Sequence, residues 1–289
     1  MEREQWKQLY ALAEGVGKSL QDRGRYTTAF IVGIFLWAAL HDRPVSWACR
    51  RENWPEDLGP SRLPSQSTMS RRLRCASTSK LLAAMEATFQ EPRCENALEI
   101  IDAKPLPVGG YSKDPDVRWG RAAGGSWKGY KFFAIWGAGA MPRAWQIAAM
   151  SVSEKRVARK LIPQLHGRGR LLGDSQYDVS YLYDLAAKHG YQLLAPRPHP
   201  GTSLGHHYQS PHRVHAIQIM EGPQGKDILM RRIAIERTFG NWTSFGGGLS
   251  PLPAWVRRPH RVQLWTHAKL LVNAARITKI QSRRATAVA

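Results

Sequence analysis

The sequence predicts an α/β protein, with a small all-α domain of helix-turn-helix type preceding a mixed sheet flanked by helices. Three observations carry that reading. Apolar residues recur at helical spacing through residues 1–92, the spacing changes to period two at Leu98, and short strands then alternate with helices. The predicted division is a helical domain over 1–92, a sheet domain over 93–280 with an insertion at about 197–226, and a basic tail over 281–289.

In chain order, Trp6, Leu9, Tyr10, Ala13 and Val16 fall on one helical face, and Tyr26 to Leu40 gives a second, more apolar helix. A short helix near Val45 to Arg51 follows Pro44. After the turn-rich stretch Trp54 to Pro64, Ser65 to Arg74 opens with polar residues, places Met69 and Leu73 at i and i+4, and turns a basic side outward. A recognition helix is written this way, which makes Gln66, Ser67, Arg71, Arg72 and Arg74 candidate DNA contacts. The plainer reading is a solvated basic helix covering a core.

From Leu98 the apolar runs Ala97 to Ala103, Tyr130 to Trp136 and Trp145 to Val152 read as three strands of a meander. A helix over Glu154 to Leu165, a strand over Arg170 to Gly173, a helix over Ser180 to His189 and a strand over Tyr191 to Ala195 come next. Arg197 to Gly225 is rich in Pro, Gly and His and reads as loop, with one strand at Arg213 to Met220. The last two helices span about Asp227 to Gly240 and Arg261 to Ile280, the latter with Leu264, Ala268, Leu271 and Ala275 on one face, and the tail beyond Lys279 reads as frayed.

Charge narrows the function. The 289 residues carry 42 Lys and Arg against 22 Asp and Glu, a formal charge of +20, which points to a polyanionic partner, with nucleic acid first. The longest apolar run, Ala29 to Leu40, is too short for a membrane span and no signal peptide opens the chain, so a soluble, intracellular protein is expected. Cys49, Cys75 and Cys94 lack metal-binding spacing and read as reduced core thiols.

Asp102 follows the apolar Ile100-Ile101 and Asp174 follows Leu171-Leu172-Gly173, so each is expected at a strand end; Glu236 sits on a helix and is the sole acid among eleven basic residues from Arg231 onward. Carboxylates leaving neighbouring strands converge in space, here across 72 residues of chain. Three such hard oxygen ligands can hold two Mg²⁺ ions for work on a phosphodiester. Each acid also has a structural reading: Asp102 and Asp174 as turn caps, Glu236 as the i, i+4 partner of Arg232. Asp178 reads as a helix N-cap, and Asp114 and Asp116 as solvated loop acids. His206, His207, His212 and His215 invite a zinc reading that lacks any nearby cysteine. Trp242, Trp255 and Trp265 read as core, with base stacking as the alternative.

Taken together, Ile100-Ile101-Asp102-Ala103-Lys104-Pro105, Lys128-Gly129-Tyr130-Lys131, Leu171-Leu172-Gly173-Asp174-Ser175-Gln176-Tyr177-Asp178 and Arg231-Arg232-Ile233-Ala234-Ile235-Glu236-Arg237-Thr238-Phe239 resemble the insertion-sequence transposases of the DDE superfamily, of the IS-four and IS-five type. The resemblance covers roughly residues 95 to 280. It implies an RNase H-like catalytic core and Asp102, Asp174 and Glu236 as metal-binding catalytic acids for two Mg²⁺ or Mn²⁺ ions. It also implies DNA contacts from Lys128, Lys131, Arg232 and Arg237. Double-stranded DNA, as transposon ends and target, would be the partner, bound by a homodimer in a synaptic complex, in the bacterial cytoplasm at the nucleoid and away from membranes. In one branch a Tyr precedes the glutamate by seven residues and a Lys follows it by seven. Here those positions are Leu229 and Thr243, so Arg237 or Lys269 would have to grip the terminal phosphate. Two rivals remain, a retired transposase kept as a DNA-binding regulator and a metal-dependent nuclease on the same fold.

Overall fold

The computed structural model describes residues 2–19, 24–90, 92, 95–122, 124–243, 248–249 and 251–288; Cys94 lies outside them. In chain order the elements are α1 (Glu2–Gly17), α2 (Thr28–Leu40), α3 (Val45–Ala48), α4 (Gln66–Arg72), α5 (Ala76–Thr88), β1 (Ala97–Pro107), β2 (Arg118–Ala122), β3 (Gly125–Trp136) and β4 (Ala144–Ala149). Then come α6 (Glu154–Leu161), β5 (Gly169–Leu172), α7 (Ser180–Lys188), β6 (Tyr191–Leu194), α8 (Pro211–Glu221), α9 (Gly225–Thr243) and α10 (Pro259–Val288). The chain divides into two compact units, one of Met1–Gln90, Trp242–Val256 and His260–Ala289, the other of Glu91–Asn241 and Arg257–Pro259.

In the first unit α2 is apolar around its whole circumference and is buried accordingly, from Ile31 through Leu40. Gly33 is what lets α1 lie against it, since a Cβ there would come within 2.4 Å of the Tyr10 ring; Trp6 donates its indole N–H to the Gly33 carbonyl at 2.8 Å. The apolar face of α10, Leu264, Ala268, Leu271 and Ala275, is buried in this unit and not in the sheet domain to which the sequence assigned it. Two polar bonds fix it there: Gln5 Nε2 donates to the Val272 carbonyl at 2.6 Å, and the Lys269 ammonium sits 2.6 Å from both the Ala39 carbonyl and Asp42. The helix also continues to Val288, beyond the fraying expected after Lys279. Cys49 and Cys75 are half-buried free thiols.

Ser65 caps α4 by accepting from the Thr68 N–H at 3.2 Å, and Met69 and Leu73 are buried, as the pattern predicted. Gln66, Ser67, Arg71 and Arg74 are exposed. Arg72 is not free for a phosphate: its guanidinium donates to the Tyr26 carbonyl at 2.8 Å and to Thr28 Oγ1 at 3.2 Å.

The second unit is built on a six-stranded mixed sheet in the order β2-β3-β1-β5-β6, with β4 also pairing with β3. β3 is antiparallel to β1, β2 and β4, while β5 and β6 run parallel to β1. Helices flank this sheet, giving the mixed α/β architecture the sequence predicts. Two elements of this unit depart from the sequence reading, as does α5 of the first unit, which it did not anticipate. β2 escaped it because Arg118-Trp119-Gly120-Arg121-Ala122 has no apolar alternation, and Arg213 to Met220 is helical where a strand was expected. Pro211 at the first turn and Ser210, which caps Arg213 N–H at 3.4 Å, start that helix. No helix among the described residues is long and apolar enough to cross a membrane.

Candidate metal centre

The register of the parallel pair places the first two acids. β1 and β5 pair from Ala97↔Gly169 to Ile100↔Leu172, then part. Asp102 and Asp174 each lie two residues past that last pair, so the two carboxylates meet where the strands separate. Asp102 is not at its strand's end, as the sequence suggested; β1 continues to Pro107 and Asp102 pairs with Ala134 of β3, whose apolar run holds the strand in the sheet. Past β5 the chain turns through a single 3-10 turn capped by Asp174 Oδ1, which accepts from the Gln176 N–H at 2.8 Å. Gly173 makes the turn possible, because a Cβ there would come within 2.9 Å of the Tyr177 ring packed beneath it.

The third carboxylate of this centre is Glu154, the first residue of α6, which the sequence reading noted only as a helix start. Asp102, Glu154 and Asp174 each offer an oxygen within 4.8 Å of the others. Opposed oxygens on a magnesium ion are about 4.2 Å apart, so the set is close to chelating geometry. No spacing in the chain announces Glu154. It arrives because β4 hands the chain to α6 beside the parting strands, which is knowledge of topology.

Glu236 does not join that set of ligand atoms. It lies a step away, more than half exposed, with its Oε1 3.2 Å from Arg232 Nη2, and the same guanidinium reaches Asp102 Oδ2 at 3.6 Å through Nη1. Arg232 thus stands between the helix glutamate and the strand aspartate. Lys131 of β3 pairs with Glu154 at 3.0 Å.

Electrostatics mark the cluster as short of positive charge. Burial pushes Asp102 up to about 6, against the pull of the Ala103 N–H and Arg232, with Asp174 and Glu154 adding repulsion. Asp174 is also raised, first by burial and then by Glu154. Among the described residues, Lys131 pairs with Glu154, and Arg232 with Asp102 and Glu236. The Tyr177 hydroxyl is buried and is held protonated by burial, by the field of Glu154, Asp102 and Asp174 and by its approach to the Glu154 carboxylate. Hard oxygen donors within chelating distance and missing countercharge together fit a divalent cation.

Other candidates resolve structurally. Asp178 is not a cap, since α7 begins after Val179 without a side-chain cap; it forms a bidentate pair with Arg213 at 2.7 and 2.6 Å. Asp114 is buried and not solvated, accepting from the Tyr130 hydroxyl and the Arg258 N–H, both at 2.8 Å. Lys128 donates to the Ser112 carbonyl at 2.9 Å, and Arg237 is exposed. Lys269 is wholly buried against Asp42, which removes it as a phosphate grip. No histidine belongs to a metal-binding group among the described residues. Trp242 and Trp265 are core, and Trp255 is exposed.

A mixed sheet flanked by helices, with clustered carboxylates where two parallel strands part, defines a class of α/β protein with an acidic site fit for a divalent cation. Within that class, residues 97–271 match the family model described as the transposase DDE domain, more than half of the chain, and the chain belongs to that family. Among curated proteins nothing matches. Among solved structures, the chain is similar to one titled as a piggyBac transposase synaptic complex with hairpin DNA, at 10% identity and a TM-score of 0.41, covering 94% of this chain and 71% of that one.

Proposed function

We propose that the protein binds the ends of a mobile DNA element and carries out divalent-metal-dependent hydrolysis and strand transfer at its phosphodiesters. The observation that supports this best is the convergence of Asp102, Asp174 and Glu154, with Glu236 one arginine away, in a DDE-family domain. Asp102 and Asp174 are the ligands common to the site, and Glu154 and Glu236 complete its carboxylates. Two Mg²⁺ or Mn²⁺ ions, when bound, would activate the attacking oxygen and stabilise the leaving one.

The chain's own groups do the rest. Arg232 holds Glu236 and Asp102 together while the acids lack metal, and turns to phosphate once they no longer need its charge. Lys131 fixes the rotamer of Glu154 through its 3.0 Å contact. The exposed Arg71, Arg74, Arg237 and the polar start of α4 supply contacts to double-stranded DNA. Water attacks first to free a 3′ hydroxyl, and that hydroxyl then attacks target DNA in line, with no covalent protein intermediate. Paired ends require a homodimer in the synaptic complex. The test is incubation of the full chain with DNA carrying its element's ends, with Mg²⁺, Mn²⁺ or chelator. Cleavage and joining that need metal and vanish in Asp102→Asn support the reading; metal-independent cleavage, or cleavage without joining, overturns it.

A further inference from the structure

Lys269, buried against Asp42, is lost as a phosphate grip, and a lysine inside the site stands unassigned. Lys104 lies in the segment that carries Asp102, Ile100-Ile101-Asp102-Ala103-Lys104-Pro105. Its backbone is set locally: Pro105 confines Lys104 to extended geometry, and β1 runs unbroken from Ala97 to Pro107. Residues two apart on a strand share a face, so Lys104 stands on the Asp102 side of β1, about 7 Å along it.

The register carries that face across the sheet. Asp102 pairs with Ala134 and Lys104 with Phe132 of β3, and Phe132 and Trp136 meet the Phe239 ring edge-on at 6.1 and 6.4 Å. Phe239 lies on α9 three residues past Glu236, and α9 is the helix that brings Arg232 to Asp102. The Lys104 ammonium lies 5.9 Å from the centre of the same Phe239 ring. Strand and helix thus hold Asp102, Lys104 and the active face of α9 together.

The charge of Lys104 is unanswered there. The residue is half-buried, and among the described residues it makes no ion pair and no hydrogen bond. Its neighbours are committed: Arg232 and Lys131 hold carboxylates, and Lys128 is turned onto the Ser112 carbonyl. A half-buried ammonium gives up part of its water, and an aromatic face returns only some of that loss. A phosphate oxygen arriving with the substrate returns the rest.

We propose that Lys104 binds a phosphate oxygen of the DNA at the carboxylate cluster, on the scissile phosphate or one beside it. This rests on the DNA-transposase reading and adds a substrate-contacting residue to it. Lysine suits the role, because a compact ammonium on a flexible stem follows a phosphate without demanding a fixed two-pronged geometry. The reach fits as well, since about 7 Å along the strand spans about two nucleotides of a duplex.

The test compares the full chain with Lys104→Met, which keeps an apolar stem on Phe239 and removes the charge. Lys104→Gln is measured beside it, so that a folding defect in one variant does not decide the outcome. Binding to duplex DNA carrying the element's end, in chelator and at fixed salt, should weaken roughly 10- to 100-fold in both, and Lys104→Arg should recover part of the loss. A methylphosphonate, which carries no charge, is then placed singly at the scissile phosphate and at each of its neighbours. At one of these positions the gap between wild type and Lys104→Met should close, because the charge that Lys104 contacts is already gone. A lysine that merely packs on Phe239 produces no such position. Equal binding by wild type and both neutral variants, or a gap that survives every methylphosphonate, overturns the grip and leaves the transposase reading intact. A wild type that neither binds the end DNA nor cuts it with Mg²⁺ or Mn²⁺ overturns both.

Discussion

Asp174 and Asp178 stand four residues apart at the same strand end, and the chain treats them in opposite ways. Asp178 is enclosed by the guanidinium of Arg213 at 2.6 and 2.7 Å and the Tyr183 hydroxyl at 3.1 Å, so both of its oxygens are met. Asp174 accepts only one backbone N–H, from Gln176, among the bonds described, and offers an oxygen within 4.8 Å of Asp102 and Glu154. A buried carboxylate that the fold has satisfied is architecture; one left beside its own kind is stability withheld for a ligand. The same contrast runs through the cations of the first unit, where Arg72 is tied to Tyr26 and Thr28 while Arg71, its neighbour, faces solvent.

Breaking the satisfied acid should have the largest effect on the fold. Asp178→Ala leaves the half-buried Arg213 guanidinium with Gln209 alone and removes the acceptor of the buried Tyr183 hydroxyl, and calorimetric or denaturant unfolding should show a loss of up to about 3–5 kcal/mol. A loss below about 1 kcal/mol would show that the pair is not closed in solution.

Replacing the unsatisfied acid should act in the other direction. Because Asp102 is raised from 3.8 to about 6 in the folded chain, the folded state holds its proton more tightly than the unfolded state. The stability this gives is complete below about pH 4 and is lost as pH rises through about 6. Asp102→Asn, which cannot ionise, should therefore make the metal-free protein about 1–3 kcal/mol more stable than wild type at pH 7.5, with the gain vanishing near pH 4. Melting curves in chelator at both pH values check it. Divalent metal should stabilise the wild type at pH 7.5 and not the variant.

For the cations, Arg71→Ala should lower the salt dependence of DNA affinity by about one phosphate contact and leave thermal stability alone. Arg72→Ala should instead cost stability, about 1.5–3 kcal/mol, through its two bonds to the start of α2. If the two variants behave alike, α4 does not present the face proposed for it.

Much of this was legible in the sequence, for identifiable reasons. The sheet elements with strong apolar runs and the helix starting at Glu154 follow from local pattern, and Asp102 does meet Asp174, though through the parting of β1 and β5 and not because Asp102 ends its strand. β2 was invisible because its sequence is basic and glycine-bearing, and it forms only because β3 offers an edge. Arg213 to Met220 carries β-branched residues that suggest a strand, and Pro211 with its serine cap overrides them. Glu154 and the place of α10 depend on how distant segments fold back, which no spacing along the chain records.

The smallest effect on stability belongs to Glu236, and it decides the most. In the metal-free fold Glu236 is an exposed i, i+4 partner of Arg232, and such a pair is worth only about 0.3–0.5 kcal/mol. Arg232 keeps Asp102 as a second partner, which trims even that loss. Glu236→Gln should therefore melt within a degree or two of wild type and bind DNA equally or slightly more tightly, since a negative charge near phosphates is gone. Metal-dependent cleavage and joining should nonetheless disappear, because a neutral amide is a poor ligand for a hard divalent cation. Glu154→Gln, measured alongside, separates the two glutamates. If Glu236→Gln cuts DNA normally and Glu154→Gln does not, the working third acid is the one at the head of α6, and Glu236 is a surface ion pair.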